Sequence, residues 1–259
     1  MTVEKNFSKK VVLVTGGTKG IGFGIAECFL KAGATVLVCG RNAPLTLPGA
    51  EGRSAEFIPA DVRDNADLDR LFTHIHERYG RLDVLVNNAG GTPYSLAASG
   101  SARFHESLIS LNLTAPLLTA LRANALMQDQ DTGGVILFVG SVGAYSARPG
   151  SATYAAAKAG VLSLTKSLAV EWAPKVRVVC VSPGLVQTEQ SHLHYGDDDG
   201  IAAVSATVPL GRMAQPSDIG EACLFMASAQ AAYISGVDLL VHGGGERPAF
   251  LNAASVNSE

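Results

Sequence analysis

VVLVTGGTKGIG, Val11 to Gly22, decides the fold. Val11 to Val14 are apolar at every position, with none of the alternation of a half-exposed strand. A strand of that kind has both faces covered, as in a parallel sheet. Glycines follow at 16, 17, 20 and 22, and then a helical pattern begins. Glycine permits a tight strand-to-helix turn and lets backbone approach a ligand closely. The helix N-terminus then offers free N–H groups to a phosphate. The spacing is not G-x-G-x-x-G, so that fingerprint is not claimed, and a purely structural glycine turn is the competing reading.

The same kind of apolar run recurs along the chain. Candidate strands are 11–15, 35–39, 55–60, 82–87, 134–140, 176–182 and 237–241. Helical patterns fall between them, near 20–32, 65–79, 102–128, 152–173 and 217–228. Ser217 and Asp218 after Pro216 have the look of an N-cap. This β-α-β rhythm predicts an α/β chain: one Rossmann-type domain over 1–259, a doubly wound parallel sheet of about seven strands with helices on both faces. Residues 41–54 and 187–200 read as irregular, and 246–259 as an irregular tail.

The totals set outer bounds. The 259 residues are 47% apolar, enough for a large core, and 20 basic against 23 acidic side chains give a net charge of −3. Without a basic block, neither nucleic acid nor an anionic membrane surface is expected as a partner. The first apolar run, Val11 to Val14, is too short for a signal peptide or a membrane span. Cys28, Cys39, Cys180 and Cys223 have apolar neighbours and no metal or disulfide spacing, as expected of reduced thiols in a cytoplasmic protein.

In an open parallel sheet, ligands bind beyond the carboxyl ends of the strands, where strand order reverses. Three further strand ends rich in small or polar residues would line that crevice: Asn87 to Gly90, Ser141, and Pro183 with Gly184. After the second strand, an NAD site would carry an acid for the ribose 2′-hydroxyl. Here Gly40 stands at that place, Arg41 follows, and Lys19 adds a cation inside the glycine turn. A 2′-phosphate needs cations and no carboxylate, so NADP(H) is expected over NAD(H). A solvated loop arginine is the plainer account of Arg41.

SATYAAAKAG, Ser151 to Gly160, places Tyr154 and Lys158 four apart on a helix rich in small residues. Residues i and i+4 share a face. A free phenol titrates near 10 and is a poor base at neutral pH. An ammonium about 4 Å from a phenolate at an effective dielectric of 20 is worth roughly 4 kcal/mol, which favours proton transfer. Such a pair alone is more often an ordinary exposed one. Ser141, thirteen residues before Tyr154, could donate to the same substrate oxygen. Asn112 sits in the middle of a long helical pattern, where Asn is disfavoured.

Thr15–Gly22, Asn87-Asn88-Ala89-Gly90, Asn112, Ser141, Tyr154, Lys158 and SPGLVQT (182–188) together resemble the short-chain dehydrogenase/reductase family, over roughly residues 8–245. Val179 stands where many members have Asn, and Gly140 where a second serine is common.

The resemblance implies that Tyr154 is the general acid/base and that Ser141 polarises the carbonyl. Lys158 would hold the nicotinamide ribose and favour the ionised tyrosine, and Asn112 would position a water in a proton relay. It implies a dinucleotide held by Gly16, Thr18, Lys19, Gly20, Ile21, Gly22 and Arg41, by Asp61 and Val62 at adenine, and by Asn88, Ala89 and Gly90. Pro183, Gly184, Val186 and Thr188 would complete that set. A substrate pocket would draw on Thr92, Tyr94, Ser141, Tyr145, Tyr154, Leu185, and on His192 and Tyr195 of a lid over 187–210. It would suit a bulky, mostly apolar small molecule: a cyclic or steroid-like alcohol or ketone, or a 3-oxoacyl or hydroxyacyl thioester. Family members are homotetramers or dimers. No metal is expected: His74 and His76 diverge on a helix, and His192, His194 and Asp197 to Asp199 read as a solvated lid. Two other readings stay open, a catalytically idle NADP-binding sensor or scaffold and a nucleotide fold serving another cofactor such as a methyl donor.

Overall fold

The computed structural model describes residues 7–246, Pro248 and Phe250. The first strand and the glycine turn form as the sequence predicts: β1 (Val11–Thr15) runs into α1 (Gly20–Lys31). Next come β2 (Thr35–Gly40), β3 (Gly49–Ala50), β4 (Arg53–Ser54), β5 (Glu56–Pro59), α2 (Asn65–Tyr79) and β6 (Val84–Asn87). The second half holds α3 (Ala102–Ile109), α4 (Ala115–Asp129), β7 (Gly134–Val139), α5 (Ala152–Glu171), β8 (Val176–Pro183), α6 (His192–Tyr195), α7 (Asp198–Ala206), α8 (Pro216–Ala227) and β9 (Asp238–Val241).

Seven strands make one sheet in the order β5-β2-β1-β6-β7-β8-β9, and every neighbouring pair is parallel. The chain builds outward from β1 through β2 to β5, then returns to β6 on the other side of β1. The crevice at the carboxyl ends of β1 and β6 is therefore the switch point.

Continuous apolar strands follow from two cores. Val12, Val14, Val36, Val38 and Val86 pack with Ile25 and Phe29 of α1 and Ile219 and Cys223 of α8. Leu13, Leu37, Leu85, Ile136 and Phe138 pack on the other face with Leu71, Ala123 and Val161 of α2, α4 and α5. Because side chains alternate along a strand, only a run apolar at every position serves both faces. A Cβ on Gly24 of α1 would lie 2.5 Å from Pro216 Cβ, so the close approach of α1 to α8 requires glycine there.

Four local readings change. The pattern at 102–128 is not one uniform α-helix: a π turn, Ser110–Thr114, separates α3 from α4. The cap of α8 is Gln215 rather than Ser217; Pro216 takes the first helical position, and the Asp218 carboxylate accepts the Gln215 N–H at 2.7 Å. Residues 41–54 contain the β3–β4 hairpin. Residues 187–200 are half helical, holding α6 and the start of α7, which Asp197 caps by accepting the Gly200 N–H. The tail expected over 246–259 lies almost wholly outside the described residues. Among the described residues, no helix is long and apolar enough to cross a membrane, and all four cysteines are buried thiols.

Asp83 ties together the amino ends of β1 and β6, at the opposite end of the sheet from the switch point. Its carboxylate accepts the Val11 N–H at 2.9 Å, Lys10 Nζ at 2.9 Å and Arg81 Nε at 2.8 Å. Burial pushes this carboxyl up, but Arg81, the Val11 amide and Lys10 outweigh burial and hold it below its ordinary range. A depressed carboxyl contributes stability above its unfolded value, near 3.9, and loses it as pH falls through the native one. Asp83→Ala leaves the buried Val11 N–H without its acceptor, while Lys10 and Arg81 reach water, and is expected to cost about 1–3 kcal/mol at pH 7. Urea unfolding should show that deficit shrinking below about pH 4.

Candidate active site

α5 brings Lys158 under the carboxyl end of β7. The Lys158 side chain is buried, and its Nζ donates to the Val139 carbonyl at 2.7 Å. That nitrogen lies 5.7 Å from the centroid of the Tyr154 ring, one turn earlier on the helix. An ammonium has three protons, and Val139 takes one. The Tyr154 hydroxyl has no hydrogen-bond partner among the described residues, so it is free to meet a ligand.

The π turn explains the mid-helix asparagine. Asn112 is fully buried, and its Nδ2 donates to the carbonyls of Leu108 and Gly91, each at 3.0 Å. Its Oδ1 accepts the Gly91 N–H at 2.9 Å. One side chain thus locks the loop after β6 onto the helix. A Cβ on Gly90 would lie 2.7 Å from Asn112 Oδ1 and 3.6 Å from Lys158 Nζ. Asn112, Lys158 and the end of β6 therefore meet at the switch point. Ser141 ends β7, and its Oγ accepts the Gly143 N–H at 3.0 Å, leaving the hydroxyl proton to donate.

The glycine turn forms a cradle that fits a pyrophosphate. Gly16 and Gly20 take left-handed backbone, at φ 63° and 54°. α1 starts at Lys19 with no side-chain cap and no acidic residue in its first turn, so its free N–H groups and positive dipole end are uncompensated by the protein. Thr15 Oγ1 accepts the amides of Asn88 and Ala89, each at 3.0 Å. Asn88 Nδ2 donates back to the carbonyls of Thr15 and Gly16, at 2.9 and 3.2 Å. Asn88 thus braces the turn with its side-chain amide nitrogen. A Cβ on Gly20 would sit 3.6 Å from Thr188 Cγ2, so the start of the lid reaches over the cradle.

At the end of β2, Lys19 and Arg41 are exposed, and Gly40 lies beside Thr18. The nearby acid, Asp61, is engaged by Arg63 at 2.6 and 3.0 Å. Those bonds, with Arg41 adding its charge, hold the Asp61 carboxyl below its ordinary range against the pull of burial. Val62 is buried.

A cavity of about 550 Å³ opens beside the loop after Ser141. Val142, Tyr145, Leu185, Val208 and Leu240 supply its apolar wall, and Arg148, His242 and Glu246 its polar one. The Tyr145 hydroxyl donates to Asp238 Oδ2 at 2.6 Å, and burial followed by that carboxylate pushes the phenol up. Of the expected pocket residues, Tyr145 and Leu185 line this cavity, whereas Ser141 and Tyr154 are not among its lining residues. Thr92 instead lines a separate narrow cleft with His105. Tyr94 is 73% exposed, its ring against Gly150. His192 is exposed and Tyr195 half-buried. Arg148, His242 and Glu246 escaped the sequence reading. Arg148 carried a signal, an arginine six residues before Tyr154; the other two come from a segment with no pattern of its own. Among the described residues, no three His, Cys, Asp or Glu side chains converge to hold a metal ion; His74 bonds Glu56.

Known proteins are similar to this chain over most of its length. A family model described as enoyl-(acyl carrier protein) reductase matches residues 16–246. The chain is similar to a 3-oxoacyl-[acyl-carrier-protein] reductase of Vibrio harveyi, 36% identical over 92% of this chain and 98% of that one. It is also similar to a 2,3-dihydro-2,3-dihydroxybenzoate dehydrogenase of Bacillus subtilis, 34% identical over 93% of this chain and 97% of that one. Among solved structures, the ligand-free aldohexose dehydrogenase of Thermoplasma acidophilum superposes with a TM-score of 0.84 at 30% identity, covering 92% of this chain and 94% of that one.

Proposed function

This chain belongs to the short-chain dehydrogenase/reductase family, NAD(P)-dependent oxidoreductases of alcohols and ketones, and we propose that it interconverts a bulky, largely apolar secondary alcohol and its ketone with NADP(H), Tyr154 acting as general acid/base. The observation that carries this reading is the buried Lys158 ammonium, one proton on Val139, beside a Tyr154 hydroxyl with no partner among the described residues. A buried charge is costly unless its remaining protons find partners; an NADP-binding sensor would use the lysine on the ribose, but it has no use for the unpartnered phenol beside it.

The nicotinamide, when bound, supplies the hydride chemistry. The chain supplies the rest. In reduction, Tyr154 donates its phenolic proton to the oxygen of the forming alkoxide; in oxidation it takes the hydroxyl proton. Ser141, its acceptor side already on Gly143, donates to the same oxygen. Lys158 stabilises the phenolate and offers its free protons to a ribose. Asn112 holds Gly91 and the strand end in register for a relay of that proton to solvent. The glycine cradle and the bare N-terminus of α1 would hold the pyrophosphate, with Lys19 and Arg41 on a 2′-phosphate.

The apolar wall of Val142, Leu185, Val208 and Leu240 favours a cyclic or steroid-like substrate. The named relatives act on an acyl thioester, a cyclic diol and a sugar, so the family leaves the substrate open. The test is a mass scan of cell extract incubated with NADPH and either the wild type or Tyr154→Phe. Metabolites gaining two hydrogens only with the wild type support the reading and name the substrate class. No such metabolite with NADPH, and none losing two hydrogens with NADP+, counts against it.

Cofactor choice is tested separately. Arg41→Ala is expected to lower kcat/KM for NADPH about tenfold, an exposed charge-assisted contact being worth about 1.5 kcal/mol. NADH should change less than about twofold, since it lacks the phosphate. Steady-state rates at 340 nm with both cofactors separate the two.

A further inference from the structure

The cavity beside Ser141 is apolar except along one edge, and that edge carries a charge which the hydride chemistry does not use. Arg148 lines the cavity, and its guanidinium pairs with the Glu246 carboxylate. Its stem runs along the Ser141 loop, for a Cβ on Gly143 would lie 3.6 Å from Arg148 Cγ. From the lid side, burial pushes the Tyr195 phenol up and the Arg148 charge opposes it. Arg148 thus stands between the loop that carries Ser141 and the lid helix α6.

Its present partner is poorly held. The Glu246 side chain is 54% exposed, against 27% for Arg148, and an ion pair with one partner largely in water is weak. The other acid beside the cavity, Asp238, accepts the Tyr145 hydroxyl on Oδ2, and its buried Oδ1 has no hydrogen-bond partner among the described residues. Polar groups in a mainly apolar pocket fix the orientation of the ligand, and the guanidinium fork matches a carboxylate bidentately.

We propose that Arg148 is a substrate-binding residue that grips a carboxylate on the substrate, with Glu246 occupying the fork until the substrate displaces it. The substrate class is then a ring ketone or secondary alcohol bearing a carboxylate, not a neutral sterol or a thioester. The carboxylate anchors one end while Ser141 and Tyr154 meet the carbonyl. This deepens the alcohol/ketone reading above and rests on it.

The test has a kinetic arm and a binding arm. In the first, full-length wild type and Arg148→Gln reduce 3-oxocyclohexane-1-carboxylate and its methyl ester with NADPH. The expected result is a loss of about thirtyfold or more in kcat/KM for the acid and less than about threefold for the ester. Arg148→Lys, which keeps the charge without the fork, should recover part of the loss, and Glu246→Gln should raise the rate with the acid. In the second arm, calorimetry follows cyclohexanecarboxylate, which cannot react, binding to both proteins with NADP+ present. Its Kd should rise at least about tenfold in Arg148→Gln. Equal effects of Arg148→Gln on acid and ester, or no effect on either, overturn the proposal, as does a wild type that does not bind the carboxylate. If neither ketone is reduced, these ketones give no support to the chemical reading, and the calorimetric arm alone decides the carboxylate site.

Discussion

Tyr154→Phe is expected to lower kcat for ketone reduction by about three orders of magnitude, within the 10² to 10⁴ that a positioned general acid supplies, and to leave NADPH affinity within about twofold. The substitution removes one hydroxyl and keeps the ring. That hydroxyl has no hydrogen-bond partner among the described residues, so the unfolding midpoint should not move. Lys158 keeps its bond to Val139 because the acceptor is the carbonyl at the end of β7, not the phenol. Lys158→Met should differ on both counts: it empties a buried donor position, weakens cofactor binding and removes the charge that favours the phenolate. Rapid-quench or 340 nm kinetics, with NADPH titrations by fluorescence, separate the two variants. A Tyr154→Phe enzyme within about tenfold of the wild type would end the acid/base assignment.

The parts of this site that could be read in the sequence are those set by local backbone rules. Val11 to Gly22 announced a covered strand, a glycine turn and a bare helix start because each is a short-range property of residue type. Tyr154 and Lys158 could be paired because helical spacing puts them on one face. Asn112 could be flagged only as misplaced; its purpose needed the π turn and the Gly91 backbone 21 residues away. Asn88 could be flagged by its strand-end position as a ligand contact; that its amide nitrogen also braces Thr15 and Gly16 across the sheet needed the fold. The cavity was least legible. Arg148, Val208, and His242 with Glu246 reach it from three separate segments, and a pocket assembled by tertiary packing leaves no periodic trace in the chain.

The same brace makes Gly22 the most sensitive position of the cofactor cradle. Gly22 lies in the first turn of α1, where an alanine would ordinarily favour helix. Here an added Cβ would collide with Asn88 Nδ2 and with the Gly16 carbonyl oxygen. The first is tied to two backbone carbonyls. The second belongs to a glycine already in left-handed backbone. Neither can yield without moving the turn that presents the α1 amides. Overpacking of this kind costs about 1–3 kcal/mol, and displacing the Asn88 amide adds a lost hydrogen bond of about 1 kcal/mol. At about 1.4 kcal/mol per tenfold, Gly22→Ala is expected to raise the Kd for NADPH by about two orders of magnitude. Gly80→Ala is the matched control. Gly80 closes α2 in left-handed backbone with nothing within 4 Å of an added Cβ, so strain there lowers the thermal midpoint without touching the cradle. Both variants should melt earlier than the wild type, but only Gly22→Ala should lose the shift in midpoint that NADPH confers on the folded protein. Equal NADPH affinities for the two variants would mean that the cofactor does not lie in the glycine turn.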